Sequence, residues 1–271
     1  MKIYEETIVA GKTILRSIKI SSGNHGNKRG PKINITSDAV RKNNDRLAVK
    51  RLTADLNANF KGGDLHITLT YAEMPSLMQA KKDREKFLKD LRNELRKTGM
   101  ELKYIAVTEY KNKRPHHHIV VNTDDLTLIN QLWGKGRVHS TPLDSEGNYY
   151  KLAEYLIKET TKTFREEDSL HKRRYSCSRS IVHPAVKRQE VDLSKLEEDP
   201  EPIRGYYIPK ECERRFEHPV TGLEHLEYIE VALDKPRKYK VWPKGVLVST
   251  REYYKPDYFE EQMALDELPF I

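Results

Sequence analysis

The chain is poor in cysteine and has no long apolar stretch. Cys177 and Cys212 are its only cysteines, and they lie far apart without C-x-x-C spacing. We therefore expect neither a disulfide framework nor a cysteine zinc site, and a reducing compartment fits this composition. No apolar run approaches the roughly 20 residues that span a bilayer. Acidic residues stand near the N-terminus, where a signal peptide is apolar. These features predict a cytoplasmic protein without a membrane partner.

The sequence also lacks internal repeats and a P-loop. The pattern G-x-x-x-x-G-K-[ST] occurs nowhere in the 271 residues, so a fused helicase is not expected. Charge, in contrast, is abundant. Charged residues make up 33% of the chain, and the 49 Lys and Arg exceed the 41 Asp and Glu by 8. Because phosphates release counterions when they bind basic side chains, this positive balance favours nucleic acid as a partner.

The apolar spacing predicts short strands alternating with amphipathic helices. A hairpin over residues 1–20, turned at Gly11-Lys12, comes first. The elements predicted after it are a helix from Ser37 to about Asn57, a strand over Leu65–Tyr71, a helix from Pro75-Ser76 to Gly99, strands over Tyr104–Tyr110 and His116–Asn122, a helix over Leu126–Leu132, a strand over Val138–Leu143 and a helix from Tyr149 to about Lys162. This order indicates an α+β fold, with a central antiparallel sheet and helices packed on it.

Composition divides the chain into three parts. Residues 1–44 combine the hairpin with a Gly-rich basic loop over residues 21–32, and residues 45–185 hold the regular elements. Beyond them proline, tyrosine and charge are scattered, with β-like runs at Tyr228–Leu233 and Gly245–Ser249. We therefore predict a core domain over residues 45–185, preceded by an extension and followed by a small, β-containing C-terminal region over residues 186–271.

The strongest chemical signal is a run of three histidines that follows Pro115. Residues two apart share a face of a strand, so His116 and His118 project together while His117 points to the other face. If residues 111–114 form a four-residue turn, Glu109 on the preceding strand lies opposite His116. A carboxylate beside two imidazoles suits Mg²⁺ or Mn²⁺ and leaves positions open for a phosphate oxygen.

Two blander interpretations of these histidines stay open at this point. Three consecutive histidines also occur as a polar sheet edge or bind metal only incidentally, although the apolar residues that follow favour a strand within a sheet. His66, on another predicted strand, is a spare candidate ligand or a partly buried polar residue.

The second signal is a helix with a lysine-rich face. At about 100° per residue, Leu152 and Leu156 fall on an apolar arc, whereas Lys151, Tyr155 and Lys158 fall on the opposite arc. This spacing predicts an exposed tyrosine flanked by lysines, whose charge favours the phenolate form. The alternative is an ordinary solvated lysine face with Tyr155 at its edge.

Five segments, taken in order, resemble the HUH endonucleases. More closely, they resemble the replication initiator domain of rolling-circle phages and plasmids, including the gene II type of filamentous phage. The segments are ITLTY at Ile67–Tyr71, Glu109 with RPHHHI at Arg114–Ile119, LWGKGRV at Leu132–Val138, AEYLIK at Ala153–Lys158 and RRYSCSR at Arg173–Arg179. There are two departures. His117 stands where the family has a bulky apolar residue, and Lys151 stands where some members carry a second tyrosine.

The resemblance implies specific roles within an HUH, ferredoxin-like fold. His116, His118 and Glu109 would bind Mg²⁺ or Mn²⁺, Tyr155 would be the nucleophile, and Lys158 would assist it. The basic residues expected to contact DNA are Lys151, Lys162, Arg173, Arg174 and Arg179.

The activity so implied is metal-dependent nicking of single-stranded or hairpin origin DNA. It leaves a 5′-phosphotyrosine link and a free 3′-OH, and a host helicase and polymerase would be partners. Within the same chemistry, a relaxase or a transposase is the alternative. From another class, a non-catalytic nucleic-acid-binding module predicts binding without metal or covalent product.

Overall fold

The computed structural model describes residues 2–21, 38–110, 114–164, 173–218 and 222–233. Within these ranges the elements are, in chain order, β1 (Lys2–Ala10), β2 (Thr13–Ser21), α1 (Asp38–Asn59), β3 (Leu65–Leu69), α2 (Leu77–Lys97), β4 (Tyr104–Glu109), β5 (His116–Val121), α3 (Leu126–Trp133), β6 (Val138–Pro142), α4 (Tyr150–Phe164), β7 (Ser176–Cys177), β8 (Val186–Val191), α5 (Ser194–Glu197), β9 (Tyr206–Tyr207), a 3₁₀ turn (Lys210–Cys212), β10 (Arg214–Glu217) and β11 (Glu224–Ala232).

The predicted α+β fold is confirmed, with two antiparallel sheets among the described residues. The first, here called the hairpin sheet, has the strand order β10-β11-β2-β1-β8, and β9 pairs with β11. The second, here called the site sheet, has the order β6-β3-β5-β4-β7. The predicted N-terminal hairpin is also confirmed. Its turn residue Gly11 has φ +55°, and a Cβ there would lie 2.0 Å from the Asn57 carbonyl oxygen, so only glycine fits.

The hairpin sheet joins segments that are far apart in sequence. Strand β1 pairs with β8, placing Tyr4 opposite Glu190, and β2 pairs with β11, placing Leu15 opposite Ile229. The N-terminal hairpin and strands from residues 186–232 therefore form one sheet. The division of the chain at residues 45 and 185 stays a prediction.

One face of the site sheet carries the apolar core. Alternate residues of β3 and β5, such as Ile67 and Ile119, pack against Phe87 and Leu91 of α2 and against Trp133 at the end of α3. Full burial of such side chains stabilises the fold by roughly 1.5–3 kcal/mol each. This face fixes which way every other residue of these strands points.

Helix α2 begins and ends as its sequence predicts. The Ser76 hydroxyl accepts a hydrogen bond from the Gln79 backbone N–H at 3.1 Å, which caps the first turn. Gly99 follows the last turn with φ +78°. The helix therefore spans the core face of the site sheet between these two signals.

The opposite face of the site sheet is covered by α4. Helix α4 lies against β4 and packs on α1, and α1 in turn packs on β1. Ala54 of α1 lies in an apolar cluster with Ile8 and Leu15 of the hairpin sheet, and Tyr150 of α4 packs against this cluster. Helix α4 is therefore enclosed on two sides, which decides where its tyrosine points.

The chain divides into two units, residues 1–232 and residues 233–271, and all the elements above belong to the first. The predicted loop over residues 22–32, the tip of the turn at residues 111–113 and the run Gly245–Ser249 lie outside the described residues. None of the helices in the described part of the chain combines the length and apolar character needed to cross a membrane.

Candidate metal and nucleophile site

The predicted register of the histidine hairpin is confirmed. Glu109 pairs with His116, and Val107 pairs with His118. Nε2 of His116 lies 3.0 Å from Oε2 of Glu109, and both side chains are buried. Ligand atoms of Glu109, His116 and His118 lie within 4.8 Å of one another, so the three residues form one cluster.

Both imidazole rings of the cluster are oriented through Nδ1. Nδ1 of His116 lies 3.2 Å from the Arg114 carbonyl oxygen. Because a carbonyl only accepts, Nδ1 carries a hydrogen, and Nε2, which lies beside Glu109, is the ring nitrogen left to bind a cation. Nδ1 of His118 lies 3.1 Å from the Thr68 hydroxyl on the neighbouring strand. Such partners hold the rings of metal-binding histidines in place.

The donor set of this cluster fits a divalent cation. A buried carboxylate and two buried imidazoles offer one oxygen ligand and two nitrogen ligands in a space with little water. Mixed oxygen and nitrogen ligands suit Mn²⁺ and also accept Mg²⁺. The cluster indicates a metal site without selecting between these two ions.

Tyr155 reaches this cluster from α4. Its phenol oxygen lies 3.2 Å from Nε2 of His118, and its ring meets the His118 ring edge-on at 5.2 Å between centroids. The sequence pattern alone did not reveal this contact. It brings the predicted nucleophile and a predicted metal ligand together from elements 37 residues apart.

The prediction that Tyr155 is exposed was wrong. Only 7% of its surface is accessible. The physical reason is that α4 packs on both α1 and β4. Leu152, Leu156 and Ile157 are buried on one side of the helix, and Tyr155 is buried against the sheet. More of the surface of α4 is therefore buried than its single apolar arc predicts.

The lysines of α4 differ in their surroundings. Lys158 is exposed, one turn beyond Tyr155. Lys151 is about half exposed and pairs with Glu211 at 3.2 Å. The side chain of Lys162 lies outside the described part of the chain. Lys151 and Lys158 are therefore both exposed one turn from Tyr155, but Lys151 is held by Glu211.

The predicted basic segment after α4 lies along the edge of the site sheet. Its strand β7 pairs with β4, which places it beside the strand that carries Glu109. Arg173 and Arg179 are exposed. Arg174 is partly buried and forms an ion pair with Asp45. Arg174 is therefore tied to α1, whereas the other two arginines face solvent.

His117, the departure from the family pattern, belongs to a buried network on the core face. Its Nδ1 lies 2.9 Å from the Thr108 hydroxyl, and its Nε2 lies 3.1 Å from the Tyr71 phenol oxygen. Thr108 Oγ1 also accepts a hydrogen bond from the buried Arg84 at 2.7 Å. The Tyr71 phenol donates to the Ala80 carbonyl at 3.3 Å. Polar partners thus replace apolar packing at this position.

His66 lies beside the cluster but outside it. Its ring stacks on that of His118 at 5.6 Å between centroids and meets Tyr155 edge-on at 6.2 Å. The side chain is fully buried rather than partly buried, and burial lowers its pKa to about 4. The imidazole is therefore neutral near pH 7 and fills the space beside the His118 and Tyr155 rings.

The Trp–Gly segment positions the edge strand next to the site. The Trp133 indole N–H donates to the Thr70 carbonyl oxygen at 2.7 Å. A Cβ on Gly136 would lie 2.4 Å from the same oxygen and 2.8 Å from the Ala72 nitrogen. Glycine is therefore required where this segment passes the end of β3.

Sequence reasoning missed Thr68, Thr108 and Arg84. Each acts across elements that are distant in the chain, so local periodicity carries no signal for it. The alternation of His66 and Thr68 in β3, continued by Thr70 just after the strand, was the one available indication, since it marked a polar face.

Comparison with known proteins gives one match. Residues 64–176 match the family model for the replication-associated protein of the ORF2 and gene II protein type. Searches of curated proteins and of solved structures found no match. The matched segment contains the Glu109–His116–His118 cluster and Tyr155. Residues 64–176 therefore resemble a replication-associated domain of this family, which supports a phage or plasmid Rep-type initiator domain in this part of the chain.

Proposed function

We propose that this protein starts replication by nicking single-stranded DNA at an origin, with Tyr155 as the nucleophile. The observation that carries the proposal is the 3.2 Å separation between the Tyr155 phenol oxygen and Nε2 of His118. A phosphate held at the cluster would be within reach of that oxygen. The replication-associated family match favours origin nicking over DNA transfer or transposition, which relaxases and transposases perform with the same chemistry.

Glu109, His116 and His118 would hold Mg²⁺ or Mn²⁺ in this proposal. The bound cation supplies Lewis-acid stabilisation of the charge that develops on the scissile phosphate. Thr68 and the Arg114 carbonyl keep both imidazole rings turned towards the cluster. The protein thereby fixes the donors before DNA arrives, which lowers the cost of reorganisation during the reaction.

The covalent step is a transesterification. The Tyr155 oxygen forms a bond to phosphorus while the bond between phosphorus and the 3′ oxygen breaks. The phenol gives its proton to water, and the departing 3′ oxygen takes a proton from water. The products are a 5′-phosphotyrosine and a free 3′-OH. Since one phosphoester replaces another, the reverse reaction reseals the strand without ATP.

Lys158 contributes positive charge beside the reacting groups. It is exposed and lies three residues after Tyr155 on α4, so its ammonium group can approach a phosphate bound at the same end of the helix. Tyr155 acts alone in this scheme because Lys151 occupies the place of a second tyrosine. Termination therefore requires water, another side chain or a second copy of the chain as acceptor.

The partners of the reaction follow from its products. The substrate is single-stranded or hairpin origin DNA, and the free 3′-OH is a primer for a host polymerase. Strand separation would need supercoiling or a host helicase.

The decisive experiment looks for a covalent protein–DNA product. Purified protein is mixed with a pool of random single-stranded oligonucleotides labelled at the 3′ end, with Mn²⁺ or with EDTA, and is resolved on a denaturing gel. We expect a labelled adduct with Mn²⁺ and none with EDTA. The oligonucleotide recovered from the adduct identifies the cleaved sequence.

Two variants separate the nucleophile from its neighbours. Tyr155→Phe should form no adduct and still bind the recovered oligonucleotide, whereas Tyr150→Phe, on the same helix, should form it. An adduct from Tyr155→Phe contradicts the assignment. Binding without any adduct from the wild-type protein, and without dependence on Mn²⁺, favours the non-catalytic binding module.

A further inference from the structure

Strand β6 extends the polar face of the cluster to the edge of the site sheet. Thr68 pairs with His118 on one side and with His139 on the other, so the three residues form one row across three strands. The next row is formed by Thr70 and Arg137. The Thr70 N–H donates to the Arg137 carbonyl at 3.0 Å, and the Arg137 N–H donates to the Thr70 hydroxyl at 3.1 Å.

The side chains of Arg137 and His139 belong to the same face as the cluster. Val138, between them, pairs with Leu69 and packs against the apolar core on the opposite face. Because neighbouring residues of a strand alternate between faces, His139 points to the cluster side. Arg137 directly precedes β6 and is hydrogen-bonded to Thr70, so it continues the same alternation. Arg137 is exposed, and His139 is half-buried.

The distance from β5 to β6 suits a neighbouring phosphate of one DNA strand. Two strand spacings separate His118 from His139, which is about 10 Å. Phosphates that follow one another along a single strand lie somewhat closer together than this, and the long side chain of Arg137 can bridge the difference. A strand with its scissile phosphate at the cluster can therefore place an adjacent phosphate at the edge of the sheet.

The chemistry at this edge is that of a phosphate site. A guanidinium binds phosphate oxygens through two parallel hydrogen bonds, and a neutral imidazole adds one N–H donor. No carboxylate in the described part of the chain pairs with Arg137, in contrast to Arg174 and Lys151, which are held by Asp45 and Glu211. Its charge is thus available to a ligand.

We propose that Arg137 and His139 form a second phosphate-binding position for the single-stranded DNA, next to the scissile phosphate. This inference rests on the proposed nicking function. The scissile phosphate contacts the cluster and Lys158, and the neighbouring phosphate contacts the edge strand. The strand then crosses the site sheet from α4 towards β6, which sets the direction in which DNA enters the site.

A phosphate-by-phosphate scan tests the position. Binding of the recovered oligonucleotide is measured in the Tyr155→Phe background, with a neutral methylphosphonate placed at each linkage in turn. Arg137→Gln should weaken binding to the unmodified strand about tenfold. It should also lower the slope of log affinity against log salt by about 1. At one linkage beside the scissile phosphate, the methylphosphonate should abolish the difference in affinity between the Arg137→Gln protein and the protein that keeps Arg137.

Matched variants complete the test. Arg96→Gln removes an exposed arginine from α2, on the other side of the sheet, and should leave binding unchanged. Arg137→Lys should recover most of the salt slope, and His139→Gln should show its effect at the same linkage as Arg137→Gln. A loss that is equal at all linkages, or no loss, overturns this inference while leaving adduct formation by Tyr155 intact. A wild-type protein that forms no adduct overturns the proposed function itself.

Discussion

Replacing His117 with leucine tests the buried network on the opposite face of the strand that carries His116 and His118. The change removes the hydrogen bonds to Thr108 at 2.9 Å and to Tyr71 at 3.1 Å. A buried hydrogen bond contributes about 1 kcal/mol net, and an orphaned partner costs more. Thr108 keeps Arg84 as a partner, and Tyr71 keeps the Ala80 carbonyl. The loss of stability is therefore close to the net contribution of the two lost hydrogen bonds alone. We expect a loss of about 2 kcal/mol in the free energy of unfolding.

Urea denaturation followed by circular dichroism measures this loss. The midpoint should fall while the slope of free energy against urea is unchanged, because the surface exposed on unfolding is the same. The variant should still form the DNA adduct, since His117 points away from Glu109, His116 and His118. The change thus affects stability far more than activity.

A double-mutant cycle with Tyr71→Phe isolates the hydrogen bond itself. The two substitutions together should cost less than the sum of the single effects, with a coupling of about 1 kcal/mol. A His117→Leu protein within about 0.5 kcal/mol of wild type, or a coupling of zero, would refute the reasoning. Either result would mean that the imidazole merely occupies space in the core.

Three further predictions concern metal, packing and pH. Mn²⁺ at about 100 times its dissociation constant should stabilise the protein by about 2.7 kcal/mol in thermal unfolding, and His118→Ala should lose this gain. Gly136→Ala should destabilise by about 2 kcal/mol or more in urea, because its Cβ would lie 2.4 Å from the Thr70 carbonyl oxygen; an unchanged midpoint would contradict the contact. Burial lowers the pKa of His225 to about 4 from 6.5. The unfolded chain therefore binds the extra proton between these values, and stability should fall as pH drops from about 6.5 to 4. His225→Phe should flatten that pH profile, and an unaltered profile would contradict the assignment.

The local sequence pattern was enough to predict that Glu109, His116 and His118 lie together. Strand alternation and a short turn placed Glu109 opposite His116 because both features depend on neighbouring residues alone. The same holds for the Ser76 cap of α2, where the signal and its effect lie within one turn.

Long-range pairing was not predictable in this way. The contact between β1 and β8 joins residues about 185 positions apart, and no local periodicity encodes it. The prediction of an exposed Tyr155 failed for a related reason, because the burial of this residue depends on α1 and β4 enclosing α4 from two sides. Thr68 became visible only once β3 was seen to lie beside β5.

The most direct test of the central claim is to locate the DNA on the protein. The adduct formed with Mn²⁺ is digested with nuclease and trypsin and analysed by mass spectrometry. Cleavage after Lys151 and Lys158 releases residues 152–158, in which Tyr155 is the sole tyrosine, whereas Tyr149 and Tyr150 leave on the preceding peptide. We predict a nucleotide phosphate attached to residues 152–158. Its attachment to any other peptide would contradict the assignment of Tyr155 as the nucleophile.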